Sequence, residues 1–223
     1  MIYAPIKARM YPLHRRETIR LIRQRLKDKQ PTYLVATQLI EAGVDLDFEA
    51  GYRAIAPLES IIQSAGRGNR SAEQPQATQT IFQLVGETLP PGDYRQRVAQ
   101  ARQELEQGTD LARFDSCDRY FNLLLSKANR DRYDIQTMRK KLQFRSAAKA
   151  FDFIEEDGRV AVVVGTQEAL AILGKPSLKQ VDYQRLQQYA VRLPQKIALR
   201  AEDQNGILVW NASDYINRIG IAD

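Results

Sequence analysis

Short apolar segments alternate with helical segments over residues 1–86, and this alternation constrains the fold more than any other feature. The candidate strands are residues 2–8, 33–36, 52–56 and 81–85, and the candidate helices are residues 15–29 and 60–64. Segment 33–36 is apolar without interruption, which is typical of a parallel strand buried on both faces. Strands and helices that alternate at this spacing favour crossover connections, so we expect a parallel sheet.

The second part of the chain has a different pattern. Residues 89–92 read Leu-Pro-Pro-Gly and predict a boundary between a first domain, 1–88, and a second domain, 89–223. Two apolar stripes then predict two helices: Val98, Ala101 and Leu105, followed by Leu111, Phe114, Cys117, Phe121, Leu124 and Leu125. We therefore expect the second domain to begin with helices.

A small sheet is predicted to follow these helices. Residues 151–164 are strand-like, with a hairpin signal at Asp157-Gly158, and segments 191–199 and 207–210 are predicted to pair as a terminal hairpin. Thr166 is predicted to cap a helix that ends at Gly174, and residues 183–189 to form another short helix. The predicted fold class is therefore α/β, a partial parallel sheet followed by a smaller mixed α+β domain.

Charge and composition exclude several classes of site. One cysteine, Cys117, and one histidine, His14, cannot supply a disulfide or a zinc site built on Cys and His. No apolar run of 18 residues and no signal peptide is seen, so we expect a cytoplasmic protein with no membrane role. The net charge is +6, and basic residues concentrate in two zones, nine in 7–29 and eight in 127–149, each with two acidic residues.

Two blocks carry unusual chemistry: residues 35–48, directly after a candidate buried strand, and residues 63–70, at the end of a short helix. A Thr37 hydroxyl at the carboxyl end of a strand can bind a phosphate oxygen. Arg67 and Arg70 flank a glycine-rich helix end, and planar guanidinium groups suit phosphates. Each residue alone has an ordinary structural explanation, and His14 is expected to be structural or solvent-facing. Asp45 and Asp47 lack further carboxylates, so no metal site is expected.

Together the two blocks resemble motifs V and VI of superfamily 2 helicases, which the second of two RecA-like domains carries. The stretch Thr37-Gln38-x-x-Glu41-Ala42-Gly43-Val44-Asp45-x-Asp47-Phe48, with Gln63-x-Ala65-Gly66-Arg67-x-Asn69-Arg70, resembles the CRISPR-associated type I effector helicase–nuclease. Residues 8–16 and 186–191 add weaker support. Common RNA helicases differ, since they usually have Arg-Gly-Ile-Asp near Asp45 and arginine in place of Ser64.

The resemblance implies a partial RecA-like fold and a role for each matching residue. Thr37, on motif V, would contact single-stranded DNA. From their charge, we expect one or both basic zones, 7–29 with Arg9 and Arg15 and 127–149, to contact the same strand. Gly43 and Asp45 would couple this contact to the nucleotide. The catalytic candidates Gln63, Arg67 and Arg70 would face the triphosphate, with the two arginines as finger candidates.

Several motifs of a complete helicase–nuclease are absent from this sequence, and their absence limits its expected role. It has no Gly-x-x-x-x-Gly-Lys-Ser/Thr loop, no Asp-Glu pair after a strand, and too few histidines for the family's nuclease. The resemblance therefore implies a carboxy-terminal part of an ATP-dependent helicase. ATP and Mg²⁺ would be bound only in the complete enzyme, through ligands of a missing P-loop half. The implied partners are single-stranded DNA, that half, a nuclease domain and the Cascade complex. Two alternatives stay open: a non-catalytic module that binds nucleic acid or a protein, and a truncated gene product without activity.

Overall fold

The computed structural model describes residues 2–37, 44–68, 77–86, 88–90, 92–109, 114–127, 131, 133–151, 158–216 and 220–221. Contacts divide the chain into two compact units. Unit 1 comprises Met1–Phe48 and Asp157–Asp223, and unit 2 comprises Glu49–Glu156. The two units are defined by contacts within the chain and do not test the predicted domain boundary after residue 88, which stays a prediction.

Unit 1 begins with a parallel strand pair and the helix that connects its strands. Strand β1 (Ile2–Ile6) pairs with β2 (Thr32–Ala36), with Ile6 opposite Ala36. Helix α1 (Pro12–Lys27) lies between them in sequence and buries Ile22 against Ile6 and Leu46. Pro12 starts this helix rather than preceding it, because proline is tolerated where the first N–H groups have no helical acceptor. The predicted start at residue 15 was therefore one turn late.

Strand β2 is not buried on both faces. Tyr33 is 54% exposed and Val35 is 48% exposed, whereas Thr32, Leu34 and Ala36 are half-buried. The burial alternates because Leu34 and Ala36, on one face of the strand, pack against the cluster of Ile6, Ile22 and Leu46. The uninterrupted apolar run therefore predicted the strand correctly and its burial wrongly.

Unit 2 repeats the parallel arrangement. Strand β3 (Ala50–Ala54) pairs with β4 (Thr78–Phe82), with Ala50 opposite Thr78. Helix α2 (Leu58–Ala65) lies between them in sequence and buries Leu58 and Ile61. Both described parallel pairs confirm the predicted α/β class with parallel strands.

Four helices complete the described part of unit 2: α3 (Asp93–Glu106), α4 (Phe114–Lys127), α5 (Ile135–Lys140) and α6 (Phe144–Ala150). Val98 and Ala101 of α3 are buried, as their stripe predicts. Among the α4 side chains that the structure describes, Tyr120 is fully buried although it was not in the predicted stripe, whereas Phe121 is 43% exposed. Helix α4 therefore packs Tyr120, the position next to Phe121, against Leu58 of α2.

The rest of unit 1 contains a four-stranded sheet in the order β6-β5-β8-β7. Its strands are β5 (Arg159–Val164), β6 (Ala190–Pro194), β7 (Glu202–Gln204) and β8 (Ile207–Trp210). Helices α7 (Gln167–Leu173), α8 (Gln180–Leu186) and α9 (Gln195–Ala198) and the pair β9 (Tyr215–Ile216) and β10 (Gly220–Ile221) complete it. Thr166 Oγ1 accepts a hydrogen bond from the Ala169 N–H at 3.2 Å, which confirms the predicted cap of α7.

The predicted terminal hairpin of segments 191–199 and 207–210 is wrong. Strand β6 is antiparallel to β5, β8 is parallel to β5, and the antiparallel partner of β8 is β7. The turn from β7 to β8 is Asn205-Gly206, with positive φ at both residues. Because β7 is polar, its sequence lacks the apolar signal of a strand. The first strand suggested by Asp157-Gly158 lies outside the described residues.

Two kinds of feature are absent from the described residues. No helix among them is long and apolar enough to cross a membrane. No group of three or more His, Cys, Asp or Glu side chains in the described ranges is placed to hold a metal ion.

Candidate functional site

Thr37 lies at the carboxyl end of β2. Its N–H donates to the Ile6 carbonyl at 3.2 Å, so the parallel pairing with β1 continues one residue beyond the strand. The Thr37 residue is exposed. Thr37 is therefore an exposed residue at the carboxyl end of a parallel strand, and its contact with DNA stays a prediction.

Asp45 lies in a segment anchored to α1. Its carbonyl accepts a hydrogen bond from Arg23 Nε at 3.2 Å, and the next residue, Leu46, is buried against Ile6 and Ile22. Asp45 itself is exposed. The backbone around the carboxylate is thus fixed by the core of unit 1, while Gly43 lies outside the described residues.

Gln63 and Arg67 lie at the carboxyl end of α2. Because Leu58 and Ile61 face the core, Gln63 is left on the exposed side of the helix. Arg67 follows in a turn in which its N–H donates to the Ser64 carbonyl at 3.1 Å, and this residue is half-buried. Arg70 lies outside the described residues. Two of the three catalytic candidates are therefore placed by one short helix and its terminal turn.

A buried tyrosine fixes the first turn of α2. Tyr120 Oη accepts from the Leu58 N–H at 3.3 Å and donates to Glu59 Oε2 at 3.1 Å. Glu59 Oε1 in turn accepts from Arg97 Nη1 at 3.1 Å, and Arg97 also pairs with Asp93. Burial, helped by the nearby Glu59 carboxylate, raises the pKa of Tyr120 far above its usual value, so the phenol stays protonated. We name these contacts of Tyr120, Glu59 and Arg97 the Tyr120 clamp.

The other end of α2 is held by a glutamine on β4. Gln79 Nε2 donates to Ser64 Oγ at 3.0 Å. Gly51 of β3 leaves room for the Gln79 amide because glycine has no side chain. A Cβ at this position would lie 2.1 Å from Gln79 Oε1. Beside this contact is a cavity of about 220 Å³, lined by Ala65, Gly68, Ala77, Thr78 and Gln79. Ser64 is thus a packing partner of the sheet rather than a free polar group.

Arg9 and Arg15 are positioned by backbone contacts in unit 1. Arg15 Nη2 donates to the Met10 carbonyl at 2.9 Å. The Arg9 carbonyl accepts from the Ile221 N–H at 3.2 Å, and a Cβ on Gly220 would lie 2.2 Å from the same oxygen. Gly220 has φ +79°, so this close approach needs glycine for two reasons.

One side of α1 forms a basic groove of about 390 Å³, which we name the α1 groove. Its lining residues are Pro12, Arg15, Arg16, Ile19, Arg20 and Arg23. Four guanidinium-bearing residues along one helix side create a positive potential that suits a polyanion. Arg15 belongs to this groove, and the basic zone 7–29 provides its charge.

The two stretches that gave weaker support to the resemblance meet in unit 1. Arg16 Nη2 donates to Gln188 Oε1 at 3.2 Å, and the rings of Tyr11 and Tyr189 are 5.8 Å apart. His14 Nδ1 and Tyr215 Oη form a hydrogen bond of 2.5 Å. His14 is half-buried, and burial lowers its pKa, an effect partly opposed by Glu17. His14 was expected to be structural or solvent-facing, and these contacts favour the structural alternative.

The comparisons with known proteins agree with the sequence blocks. Residues 3–73 match the family described as CRISPR-associated nuclease/helicase Cas3, C-terminal. Over 73 residues, the chain is 44% identical to the CRISPR-associated nuclease/helicase Cas3 of Haloferax volcanii. These aligned residues are 33% of this chain and 8% of that protein. Residues 3–73 resemble carboxy-terminal Cas3. The resemblance read from the motifs is therefore confirmed.

Solved structures of Cas3 share the fold. The T. fusca Cas3–AMPPNP structure has a TM-score of 0.58 and 14% identity, covering 94% of this chain and 32% of that chain. T. fusca Cas3–ADP has a TM-score of 0.58 at 15% identity, with the same coverage. A CRISPR-associated protein gives 0.52 at 16% identity, covering 96% and 32%. The chain thus spans about a third of the length of the solved Cas3 chains.

Proposed function

We propose that this chain is the motif V and motif VI part of an ATP-dependent single-stranded DNA translocase of CRISPR interference. The observation that carries the proposal is the placement of Gln63 and Arg67 by α2, which the Tyr120 clamp holds at one end and Gln79 at the other. A helix fixed at both ends can present a guanidinium group at a defined position, which transfer of a phosphoryl group requires.

The chemistry of Arg67 follows from its side chain. Its guanidinium carries a permanent charge and a planar fork of donors, so it can stabilise the negative charge that develops on a transferred γ-phosphoryl group. Arg70 would share this role, and the Gln63 amide would position the triphosphate. These donors suit phosphate oxygens but not Mg²⁺, so the metal ligands and the P-loop would come from the other half of the enzyme.

The DNA contact would use the exposed hydroxyl of Thr37. Phosphate contacts from the α1 groove, including Arg15, and from Arg9 would add an electrostatic term that does not depend on sequence. Asp45, in the segment anchored by Arg23, and Gly43 would couple this contact to the nucleotide site. The partners of the complete enzyme would be its P-loop half, a nuclease domain and the Cascade complex, in the cytoplasm. Similarity to a protein named as a CRISPR-associated nuclease/helicase supports these proposals.

Substitution of Arg67 tests the proposed function. In the complete enzyme, Arg67→Ala should lower ATP turnover by about 10³-fold or more, the range measured for arginine fingers, while DNA affinity changes little. Arg67→Lys should recover only part of the turnover, because lysine keeps the charge but loses the planar fork. The control is Arg185→Ala, on an exposed position of α8.

The two quantities to measure are steady-state ATP hydrolysis with saturating single-stranded DNA and the affinity for the same DNA. Near-normal turnover of Arg67→Ala would contradict the proposal and reduce Arg67 to a structural residue at the end of α2. A parallel loss of DNA affinity and turnover would also contradict it, because the arginine would then act on DNA rather than on the nucleotide.

A further inference from the structure

We propose that the strand pair β9–β10 positions Arg15 for its phosphate contact, by fixing the loop between β1 and α1. The loop, residues 7–11, is named the β1–α1 loop. The pair is named the β9–β10 latch, and its residues are Tyr215, Ile216, Gly220 and Ile221. The inference rests on the DNA contact of the proposed function, and it assigns positioning residues that lie outside motifs V and VI.

The latch contacts the backbone of the β1–α1 loop directly. The Ile221 N–H donates to the Arg9 carbonyl at 3.2 Å. Gly220 is buried and has φ +79°, and a Cβ on it would lie 2.2 Å from the Arg9 oxygen and 2.8 Å from the Met10 nitrogen. The peptide group between Arg9 and Met10 therefore packs against bare backbone, at a distance that only glycine allows.

Tyr215 extends this contact to the start of α1. Its Oη and His14 Nδ1 form a hydrogen bond of 2.5 Å between residues 201 positions apart in the chain. Its ring lies 5.0 Å from that of Tyr11, the N-cap residue of α1. The Tyr11 side chain makes no capping hydrogen bond, and tyrosine is not among the residues that favour this position. The latch thus fixes a helix start that its own sequence does not cap.

A hydrophobic core anchors the latch itself. Tyr215 is 9% exposed and Ile221 is 2% exposed, and both belong to the core cluster of the four-stranded sheet, with Leu193 and Trp210. Tyr11 packs against the same cluster. Because protein interiors are close-packed, a backbone held by such a cluster has little freedom to shift. The sheet therefore determines where the β1–α1 loop lies.

The loop in turn holds the guanidinium of Arg15. Arg15 Nη2 donates to the Met10 carbonyl at 2.9 Å, and Met10 is 1% exposed, with its N–H bonded to the Lys7 carbonyl at 3.2 Å. A guanidinium has several N–H donors, so this bond leaves others for a phosphate oxygen. Arg15 lines the α1 groove. A side chain that is already held in place loses less entropy on binding, so the latch should strengthen the DNA contact.

Arg20 offers a comparison within the same groove. It lines the α1 groove and is exposed. Among the described residues, its side chain forms no hydrogen bond with the loop or the latch. A phosphate contact of Arg20 should therefore be independent of the latch, whereas a contact of Arg15 should depend on it.

The first measurement is amide hydrogen exchange in the full chain without DNA, read at the Met10 and Arg15 N–H groups. Gly220→Ala should speed their exchange by about tenfold or more, because the new Cβ meets the Arg9 carbonyl. Gly206→Ala is the matched control. Gly206 has φ +81°, so alanine is equally strained there, but its Cβ would meet nothing within 4 Å. The control should leave the exchange of both groups unchanged.

A milder variant keeps the test decisive if Gly220→Ala does not fold. Tyr215→Phe retains the ring in the core and removes the hydroxyl that bonds to His14. It should speed exchange at the same N–H groups by about threefold, the effect of one lost hydrogen bond. Unchanged exchange in every folded latch variant would overturn the proposal.

The second measurement is the affinity for fluorescent oligodeoxythymidylate over a series of salt concentrations, without ATP. Arg15→Gln should reduce the salt slope by about 0.7, which corresponds to one phosphate contact on a single strand. Gly220→Ala, or Tyr215→Phe in its place, should reduce the slope in the same direction. Combined with Arg15→Gln, the latch variant should lose less than the sum of the two, because both changes act on one contact. Combined with Arg20→Gln, the losses should add.

Two results of the binding measurement would overturn the role in DNA binding. One is an unaltered salt slope in the latch variants, and the other is full additivity with Arg15→Gln. If the unaltered chain bound no strand at low salt, both the DNA contact of the proposed function and this role would be wrong. Binding that is present but indifferent to the latch would overturn this inference alone. Since no ATP is used, the Arg67 test can succeed or fail independently.

Discussion

At the scale of single residues, His14 is a titratable group with defined contacts in unit 1. It is bonded to Tyr215, its ring lies 5.4 Å from that of Tyr11, and Glu17 acts on it electrostatically. Burial lowers the pKa of His14 below its usual value of 6.5 because the charged ring loses solvation. Since the chain has one histidine, its titration near neutral pH should be measurable above other effects.

Acidification should therefore destabilise unit 1. The folded-state pKa of His14 is below the unfolded value, so the unfolded chain binds the proton more readily. The stability that depends on neutral His14 is present above pH 6.5 and is lost as the pH falls from 6.5 through the folded-state pKa. The measurement is the free energy of unfolding between about pH 7.5 and 5.5, in the chain and in His14→Gln. A slope of equal size in the variant would contradict this prediction.

At the scale of elements, α2 is the helix on which the proposed chemistry depends. Its first turn donates the Leu58 N–H to Tyr120, and its Glu59 accepts from both Tyr120 and Arg97. Helix N-termini leave such N–H groups without helical acceptors, and a buried one is costly when no other acceptor is present. The Tyr120 clamp therefore joins α4, α3 and α2 in unit 2.

Tyr120→Phe should remove the acceptor of the Leu58 N–H and one donor to Glu59 while keeping the ring. We expect a loss of about 1–3 kcal/mol in the free energy of unfolding, the cost typical of an unsatisfied buried polar group. Urea denaturation measures it, with Tyr183→Phe as the control because Tyr183 is exposed. Equal stability of both variants would show that the hydroxyl of Tyr120 does not hold α2.

Local sequence predicted those elements whose signals lie within a few residues. The parallel strands, the burial of Val98 and Ala101, and the Thr166 cap all depend on short-range patterns, and the structure has them. The sequence match to motifs V and VI identified Thr37, Gln63 and Arg67. Their roles stay predictions, because a sequence match indicates chemistry and does not measure it.

Contacts between residues far apart in the chain could not be predicted from local sequence patterns. Gln79 contacts Ser64 because β4 pairs with β3 in one particular register. The sequence of either strand alone does not determine that register. Tyr120 was missed because the apolar stripe of α4 fits more than one phase, and the phase is set by packing against α2. Strand β7 was missed because its residues are polar, although Asn205-Gly206 carried a hairpin signal.

At the scale of the whole molecule, the chain has two units that carry different parts of the proposed function. Unit 1 contains Thr37, Asp45 and the α1 groove, whereas unit 2 contains Gln63 and Arg67. The Cas3 resemblance in sequence covers residues 3–73 and thus enters both units. The net charge of +6 is compatible with a polyanionic ligand, and the arginines of the α1 groove provide part of that charge.

The most direct test of the central claim is the rate of ATP hydrolysis by the purified chain, alone and after addition of a P-loop-bearing half, each with and without single-stranded DNA. We predict that the chain alone hydrolyses no ATP, because its sequence contains no Gly-x-x-x-x-Gly-Lys-Ser/Thr motif to hold the triphosphate. The mixture should show turnover that depends on DNA and on Arg67. DNA-stimulated hydrolysis by the rigorously purified chain alone, or turnover in the mixture that is indifferent to this chain, would contradict the claim.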